Sequence, residues 1–294
     1  MTPPKQRQAI SSDITKELQQ VVYAGYQPSA VWSDWLFITE ASLRMLPVHA
    51  EAMRETGRIA QDPPDIAEEW ARIVQRYGDS FQHLARAYTL LLDVPGQDDI
   101  CDILGPLYEE FAGANESVGQ YFTPWDVAVL IAKSTVADAP AEVYRRMEQA
   151  LREHAVHSLL TPEREGWIGA DNGQWIAEHL LPRQHFEPIK IYGPAVGSGG
   201  MLLAIAAEFP RWMLTLGMVQ FFGQDISHDC ALMTSINMML FGLNGWGMRY
   251  QIARQQLCQM LPVSPAPILT PLEEPDYMVG MQGSLFDMTH KAHA

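Results

Sequence analysis

The chain has 294 residues and a formal net charge of −15, from 20 Lys plus Arg against 35 Asp plus Glu. This length permits one or two domains with a large core. No apolar run is long enough to span a membrane, and the N-terminus lacks the apolar stretch of a secretory signal. Duplex DNA is bound largely through Lys and Arg at its phosphates, so a chain this acidic should repel DNA unless its cations cluster or a partner supplies them.

Cysteine usage predicts a reducing compartment. Cys101, Cys230 and Cys258 are scattered, and no Cys-x-x-Cys pair occurs. This spacing argues against a disulfide framework and against a zinc site. We therefore expect a cytoplasmic protein with no bound metal and no membrane association.

Residues 1–115 predict a helical domain. Cap-type residues at Ser12 and Asp13 precede an amphipathic stretch, which indicates a helix start. Apolar residues at helical spacing predict further helices over residues 31–45, 65–77, 80–92 and 98–111.

A short motif and then a polar connection follow the predicted helical domain. Residues 119–124 read Gly-Gln-Tyr-Phe-Thr-Pro, and an apolar helix is predicted over residues 124–133 with Thr123 as its N-cap. Residues 134–187 are largely polar, with helices predicted at 141–157 and 174–181.

The chain after residue 187 is predicted to alternate strands and helices. Strands are predicted at residues 188–192 and 219–223, helices at 201–209 and 228–241, and a further extended piece at 249–252. This alternation favours an α/β fold with a parallel sheet. Residues 259–294 are proline-rich, which is typical of an extended tail or linker.

A glycine-rich turn lies between the first predicted strand and its helix. Residues 191–200 read Ile-Tyr-Gly-Pro-Ala-Val-Gly-Ser-Gly-Gly. Backbone with so few Cβ atoms can approach a nucleotide-like ligand closely, and ligands of α/β sheets bind at the carboxyl ends of strands. Taken alone, the segment fits a plain structural turn equally well.

Three ordered blocks together resemble a known family. Besides the Gly-Gln-Tyr-Phe-Thr-Pro block and the glycine-rich turn, residues 223–226 read Gly-Gln-Asp-Ile and are followed by an apolar helix with Asn237. The order is similar to that in N6-adenine DNA methyltransferases, above all in the modification subunit of type I restriction systems. The resemblance covers about residues 103–242. It implies a partial Rossmann-like domain over residues 116–258, with an insertion at about 134–187, that binds S-adenosylmethionine.

The resemblance also implies roles for individual residues. The glycine turn would wrap the amino-acid part of the cofactor, Asp225 would accept hydrogen bonds from the ribose hydroxyls, and the aromatic block would close over the cofactor. The alternatives are that Asp225 caps the following helix and that the aromatic residues belong to the core. The implied cofactor-binding set is Tyr121, Phe122, Thr123, Pro124, Pro194, Ala195, Gly197, Ser198, Gly199, Gly200, Asp225 and Ile226.

The sequence departs from the family at two places. The family's Asp-Pro-Ala-Cys is Gly-Pro-Ala-Val at residues 193–196, so an acidic group near the cofactor is missing. The Asp/Asn-Pro-Pro-Tyr/Phe tetrapeptide that holds a flipped adenine is not found after residue 250. Residues 62–65, Asp-Pro-Pro-Asp, lack its aromatic residue and predict only a helix start, and residues 275–277 have related types in another arrangement. No catalytic residue is assigned, and we expect a protein that has lost the catalytic half of the domain.

The tail carries a short motif of a different kind. Residues 282–286 read Gln-Gly-Ser-Leu-Phe and are similar to the bacterial sliding-clamp-binding motif. The resemblance implies that Leu285 and Phe286 fill an apolar pocket of the clamp, with Gln282 and Ser284 beside them. The alternative is a terminal strand or turn packed on the domain.

Two functions therefore compete. One is a non-catalytic methyltransferase-like protein that binds S-adenosylmethionine and acts through protein partners, either a restriction–modification subunit or the sliding clamp, in DNA modification, restriction or replication. The other is an active N6-adenine DNA methyltransferase that works with a partner chain. The acidic charge and the missing tetrapeptide favour the first and disfavour DNA binding by the isolated chain.

Overall fold

The computed structural model describes residues 4–93, 100–111, 122–155 and 157–245. The predicted domain boundaries near residues 115 and 258, the extended piece at 249–252 and the tail with Gln282, Ser284, Leu285 and Phe286 lie outside these residues. Among the described helices, none is both long enough and apolar enough to cross a membrane.

Helices dominate the region before the sheet. The α-helices are α1 (Pro4–Tyr23), α2 (Pro28–Thr56), α3 (Pro64–Tyr77), α4 (Phe81–Leu92), α5 (Leu104–Phe111), α6 (Trp125–Thr135), α7 (Ala139–Glu153) and α8 (Gly173–His179), with short 3-10 turns at Gly78–Ser80 and Arg183–His185. All the predicted helices of this region are present, with shifted ends.

The boundary differences have local causes. Ser12 and Asp13 lie inside α1, so they do not cap a helix as predicted. The α2 helix begins at Pro28, whose fixed φ suits a first turn, and it ends at Gly57 with φ 70°. Pro64 begins α3, in agreement with the helix start predicted for the Asp-Pro-Pro-Asp segment.

A parallel βαβ unit follows. Strand β1 (Ile189–Gly193) pairs in parallel with β2 (Val219–Gly223), and the register runs from the Ile189–Val219 pair to the Gly193–Gly223 pair. Helices α9 (Gly200–Ala206) and α10 (Arg211–Thr215) connect the strands, and α11 (His228–Leu240) and a 3-10 turn (Leu243–Gly245) follow β2. The predicted α/β class with a parallel sheet is confirmed, as two strands in the described part of the chain.

The helix predicted over residues 201–209 is present as α9, which begins at Gly200 and ends at Ala206. The short helix α10 was not predicted. It begins after Pro210, which has no backbone N–H and whose φ of −51° and ψ of 134° are not helical. The strand β1 is displaced by one residue from the prediction, whereas β2 has the predicted ends.

One hydrophobic core joins the helical region to the βαβ unit. Trp32 of α2 packs against Trp35, Tyr108 and Phe111, with ring centroids 5.4, 5.6 and 6.0 Å away. The same cluster contains Phe221 of β2 and much of α11, and α2 packs along α11. This packing brings the start of α5 and the glycine turn together.

Candidate functional site

The glycine turn lies at the carboxyl end of β1 and leads into α9. Gly197 and Gly199 have φ of 57° and 88°, values that L side chains rarely adopt. The Gly199 N–H donates to the Val196 carbonyl at 2.8 Å, which closes the turn. Ser198, between the two glycines, is only 2% exposed. The backbone of this turn is therefore tightly defined by its own hydrogen bonding and by glycine geometry.

Asp225 ties the turn to the end of β2. Its Oδ2 accepts a hydrogen bond from the Gly197 N–H at 2.9 Å, and its Oδ1 accepts one from the Ser227 N–H at 2.9 Å. The Ser227 hydroxyl accepts from the Cys230 N–H at 3.4 Å and caps α11. The capping role that was the alternative for Asp225 thus belongs to Ser227. Each carboxylate oxygen of Asp225 keeps a second lone pair for another donor.

Phe122 of the aromatic block lies against the same glycine. A Cβ atom built on Gly197 would be 2.9 Å from Cδ1 of the Phe122 ring, so the ring occupies the space that any side chain at this position would need. Phe122 also makes an edge contact with Tyr108, at 5.5 Å between ring centroids. Tyr121 lies outside the described residues.

Most of the remaining members of the predicted set are exposed to solvent, whereas Gly200 is buried. Thr123, Pro124, Pro194 and Ala195 are exposed, and the Ile226 side chain is fully exposed beside Asp225. Thr123 does not cap the following helix: α6 begins at Trp125, and its first turn has no side-chain cap. The exposed apolar side chain of Ile226 offers a surface on which a flat ring can pack.

Val196 explains why position 193 is glycine. A Cβ atom on Gly193 would be 2.6 Å from Cγ1 of Val196, and a Cβ atom on Gly223 would be equally close to the same carbon. The Val196 side chain therefore fills the space between the two strand ends. An aspartate at 193, as the family pattern has it, would collide with this β-branched and stiff side chain. The two departures from the family pattern, Gly193 and Val196, are linked sterically.

A second carboxylate, from the helical region, reaches the turn. Oδ2 of Asp102 accepts a short hydrogen bond from the Ser198 hydroxyl. Its Oδ1 accepts from the Gly105 N–H at 2.9 Å and from Nδ2 of Asn237 at 3.0 Å. Asn237 also donates to the Ser198 carbonyl at 2.9 Å.

Asp102 was not recognised from the sequence. It precedes α5 within a stretch that shows only helical periodicity, and it is 96 residues away from Ser198. No short motif pairs the two positions.

Burial raises the pKa of the Asp102 carboxyl above its ordinary value. The hydrogen bonds from Ser198, Gly105 and Asn237 favour the charged form and offset part of this rise. Burial likewise raises the pKa of Asp229 in α11, against a hydrogen bond from the Ser33 hydroxyl. The pKa of the Cys230 thiol is raised to about 11 by burial, which keeps it neutral at physiological pH.

Helix α11 packs against the glycine turn through Thr234 and Asn237. The Thr234 hydroxyl donates to the Gly197 carbonyl at 2.9 Å, and a Cβ atom on Gly199 would be 3.2 Å from the Thr234 hydroxyl oxygen. Asn237 and Thr234 are fully buried, and Oδ1 of Asn237 is a buried acceptor without a hydrogen-bond partner. Among the described residues, no group of three or more His, Cys, Asp or Glu side chains is arranged to hold a metal ion.

Comparison with known proteins gives one match. Residues 174–255 match the family model described as N-6 DNA Methylase. The matched segment contains β1, the glycine turn, β2 and α11, which supply most of the site, and it leaves out Asp102 and Phe122. No curated protein and no solved structure matches the chain. Over this segment the chain is similar to the N-6 DNA methylase family, in agreement with the family predicted from the sequence.

Proposed function

We propose that the chain binds S-adenosylmethionine at the glycine turn and serves N6-adenine DNA methylation or a process derived from it. The family that residues 174–255 match is named for the methylation of DNA, and it uses S-adenosylmethionine as the methyl donor. The proposal includes a partial Rossmann-like architecture, in which the βαβ unit around β1 and β2 forms the cofactor half.

The observation that carries the proposal is the convergence of three distant blocks on one residue. Gly197 contacts the Phe122 ring through the space where a Cβ would be, and its N–H donates to Asp225. These residues come from the aromatic block, the glycine turn and the Gly-Gln-Asp-Ile block. A plain structural turn would not require all three to meet at one point.

The residues present fit the chemistry of this cofactor. The free lone pairs of Asp225 suit the two ribose hydroxyls, and the exposed Ile226 side chain suits the face of an adenine ring. Pro194 and Ala195 leave the strand end open to solvent, and the glycines let a ligand approach the backbone. The bound cofactor would supply the methyl group, while these residues would hold and orient it.

We further propose that the chain is degenerate and non-catalytic, because no base-binding tetrapeptide is found in its sequence, and that it acts through protein partners in DNA modification, restriction or replication. The only Pro-Pro segment after an Asp, residues 62–65, starts α3, and Asp62 lies 3.2 Å from the His49 ring of α2. The net charge of −15 also favours a partner that supplies the cations for DNA. The alternative is an active methyltransferase that works with a partner chain.

Cofactor binding is tested with a variant that leaves the fold intact. In Ile226→Ala we expect S-adenosylmethionine to bind about 5- to 20-fold more weakly, because the exposed side chain loses its packing on the ring. Leu159→Ala is the matched control, since Leu159 is a similarly exposed aliphatic residue, at 86%, in another part of the chain. Calorimetric titration measures both variants. Equal affinities for the two variants and the unchanged chain would remove the adenine role of Ile226.

Catalysis is tested separately. The full chain is incubated with S-adenosylmethionine labelled at the methyl group and unmethylated DNA, and the label on adenine is counted. The proposal predicts no transfer of label to adenine, whereas transfer by the chain alone or with a partner chain added would support the enzymatic alternative.

The clamp interaction is a separate part of the partner proposal. Deletion of residues 282–286 is expected to abolish retention of the chain on an immobilised bacterial sliding clamp, and replacement of both Leu285 and Phe286 by Ala should do the same. Unchanged retention of both variants, or no retention of the full chain, would eliminate the clamp as a partner.

A further inference from the structure

We propose that Asp102 is a positioning residue of the cofactor site, which holds the Ser198–Gly199 part of the glycine turn in the conformation that binds S-adenosylmethionine. This inference rests on the proposed function and adds a residue that lies outside the segment matched by the family model. Asp102 is placed to act through the turn, by way of Ser198 and Asn237.

The first support is the hydrogen bonding of the carboxylate. Asp102 accepts from the Ser198 hydroxyl of the turn, from the Gly105 N–H of α5 and from the Asn237 amide of α11. One side chain thus joins three segments that are distant in sequence. Bonds to an ionised acceptor are among the stronger hydrogen bonds in proteins, so their loss should be felt at each of the three segments.

The second support is the space that two glycines leave for this carboxylate. A Cβ atom on Gly105 would be 2.3 Å from Oδ2 of Asp102 and 2.9 Å from the Ser198 hydroxyl oxygen. A Cβ atom on Gly200 would be 3.0 Å from the same Oδ2. Glycine weakens a helix relative to alanine, and both Gly105 and Gly200 are helical residues. Two segments therefore have glycine where a side chain would crowd this carboxylate, which indicates that its position matters.

The third support is the arrangement of Asn237. Its Nδ2 donates to Oδ1 of Asp102 and to the Ser198 carbonyl, and both partners are acceptors, so the orientation of the amide is fixed. Its Oδ1 is then left buried without a donor. A core position without another duty would be filled more favourably by an apolar residue. The amide at this position instead holds the Ser198 peptide and the Asp102 carboxylate at once.

These contacts tie two successive residues of the turn, Gly197 and Ser198, to two carboxylates that are distant in sequence. Asp225 holds the N–H of Gly197, and Asp102 holds the hydroxyl of Ser198. Position 193, where the family pattern has an aspartate, is a glycine that Val196 packs against. Asp102 supplies an acidic group to the turn from the helical region instead.

The experiment measures cofactor affinity and stability in the same set of full-length variants. In Asp102→Ala we expect S-adenosylmethionine to bind about 10- to 100-fold more weakly, because the turn loses the hydrogen bond that holds Ser198. In Asp102→Asn the affinity should stay within about 3-fold, since the amide can still accept from Gly105 and Asn237 and donate to Ser198.

Glu40→Ala is the matched control. Glu40 is also a buried carboxylate, 3% exposed; it accepts from the Ser235 hydroxyl of α11 at 3.3 Å and pairs with Arg44, and neither partner belongs to the glycine turn. We expect this variant to unfold at a lower temperature and to bind the cofactor with unchanged affinity. An equal loss of affinity in Glu40→Ala and Asp102→Ala would mean that Asp102 acts only through general stability, and unchanged affinity in Asp102→Ala would also overturn the proposal.

A second readout separates failure of the positioning role from failure of the proposed function. Amide hydrogen exchange is followed by mass spectrometry in a peptide that contains residues 196–200. Faster exchange there in Asp102→Ala than in Glu40→Ala supports the positioning role even if the unchanged chain binds no S-adenosylmethionine. Equal exchange in the two variants overturns the positioning role whether or not the cofactor binds.

Discussion

Two adjacent residues of the glycine turn, Gly197 and Ser198, are held by side chains from different parts of the molecule. Asp225 comes from the βαβ unit itself and follows the strand that pairs with β1, so it acts within one supersecondary unit. Asp102 comes from the helical region and reaches Ser198 only because α2, α5 and α11 share a core. A site that looks local in sequence therefore depends on packing between two regions.

The largest loss of stability is expected at Gly197, whose backbone lies against the Phe122 ring. Gly197→Ala introduces a side chain at φ of 57° and places its Cβ 2.9 Å from Phe122. We expect a loss of about 2–4 kcal/mol in the free energy of unfolding and a loss of cofactor binding. Urea denaturation and calorimetry measure the two losses.

Gly166→Ala is the matched control for this variant. Gly166 has a similar φ of 69°, and nothing lies within 4 Å of the added Cβ. Backbone strain alone should cost about 1 kcal/mol there. An equal loss in both variants would show that the Phe122 contact contributes nothing.

A somewhat smaller effect is expected on the strand side of the turn. Gly193→Ala should lower the free energy of unfolding by about 1–3 kcal/mol, because its Cβ would lie 2.6 Å from Val196. Adding Val196→Ala should then cost less than Val196→Ala does in the unchanged chain. A double-mutant cycle measures this coupling, and strict additivity would refute the steric link between positions 193 and 196.

The role of Asp225 can be separated from that of its neighbour. Ser227→Ala removes the cap of α11 and should cost about 1 kcal/mol of stability without a change in cofactor affinity. Asp225→Ala should lower the affinity for S-adenosylmethionine about 10-fold or more. If calorimetry finds the larger loss of affinity in Ser227→Ala, the assignment of Asp225 to the cofactor is wrong.

The smallest effect concerns pH. Burial raises the pKa of Glu40, against the influence of Arg44 and Ser235. The folded state therefore holds this proton more tightly than the unfolded state, and stability falls as pH rises from the ordinary carboxyl pKa through the raised value. In Glu40→Gln this decline should be smaller, which thermal unfolding across acidic and neutral pH can measure. A decline as steep as in the unchanged chain would contradict the burial of that charge.

Sequence reasoning succeeded where the cause was local. The ends of β2, the glycine turn and the parallel βαβ unit follow from short-range patterns, and so does the start of α3 at Pro64. It failed at Ser12 and Asp13, which lie inside α1, because cap-type residues also occur within long helices.

The candidate site divides in the same way. Gly197, Gly199 and the nearby Asp225 stand in short blocks that a reader can find one after another along the chain. Asp102 shows no local pattern, since its partners Ser198 and Asn237 are 96 and 135 residues away. Such a contact depends on how the helices pack, and a single sequence carries no direct sign of it.

Calorimetric titration of S-adenosylmethionine into the full chain tests the central claim most directly. The account predicts saturable binding with one site per chain, strongly weakened in Asp225→Ala and unchanged in Glu40→Ala. An absence of binding at millimolar cofactor, or equal binding by all three proteins, would contradict the assignment of the glycine turn as a cofactor site.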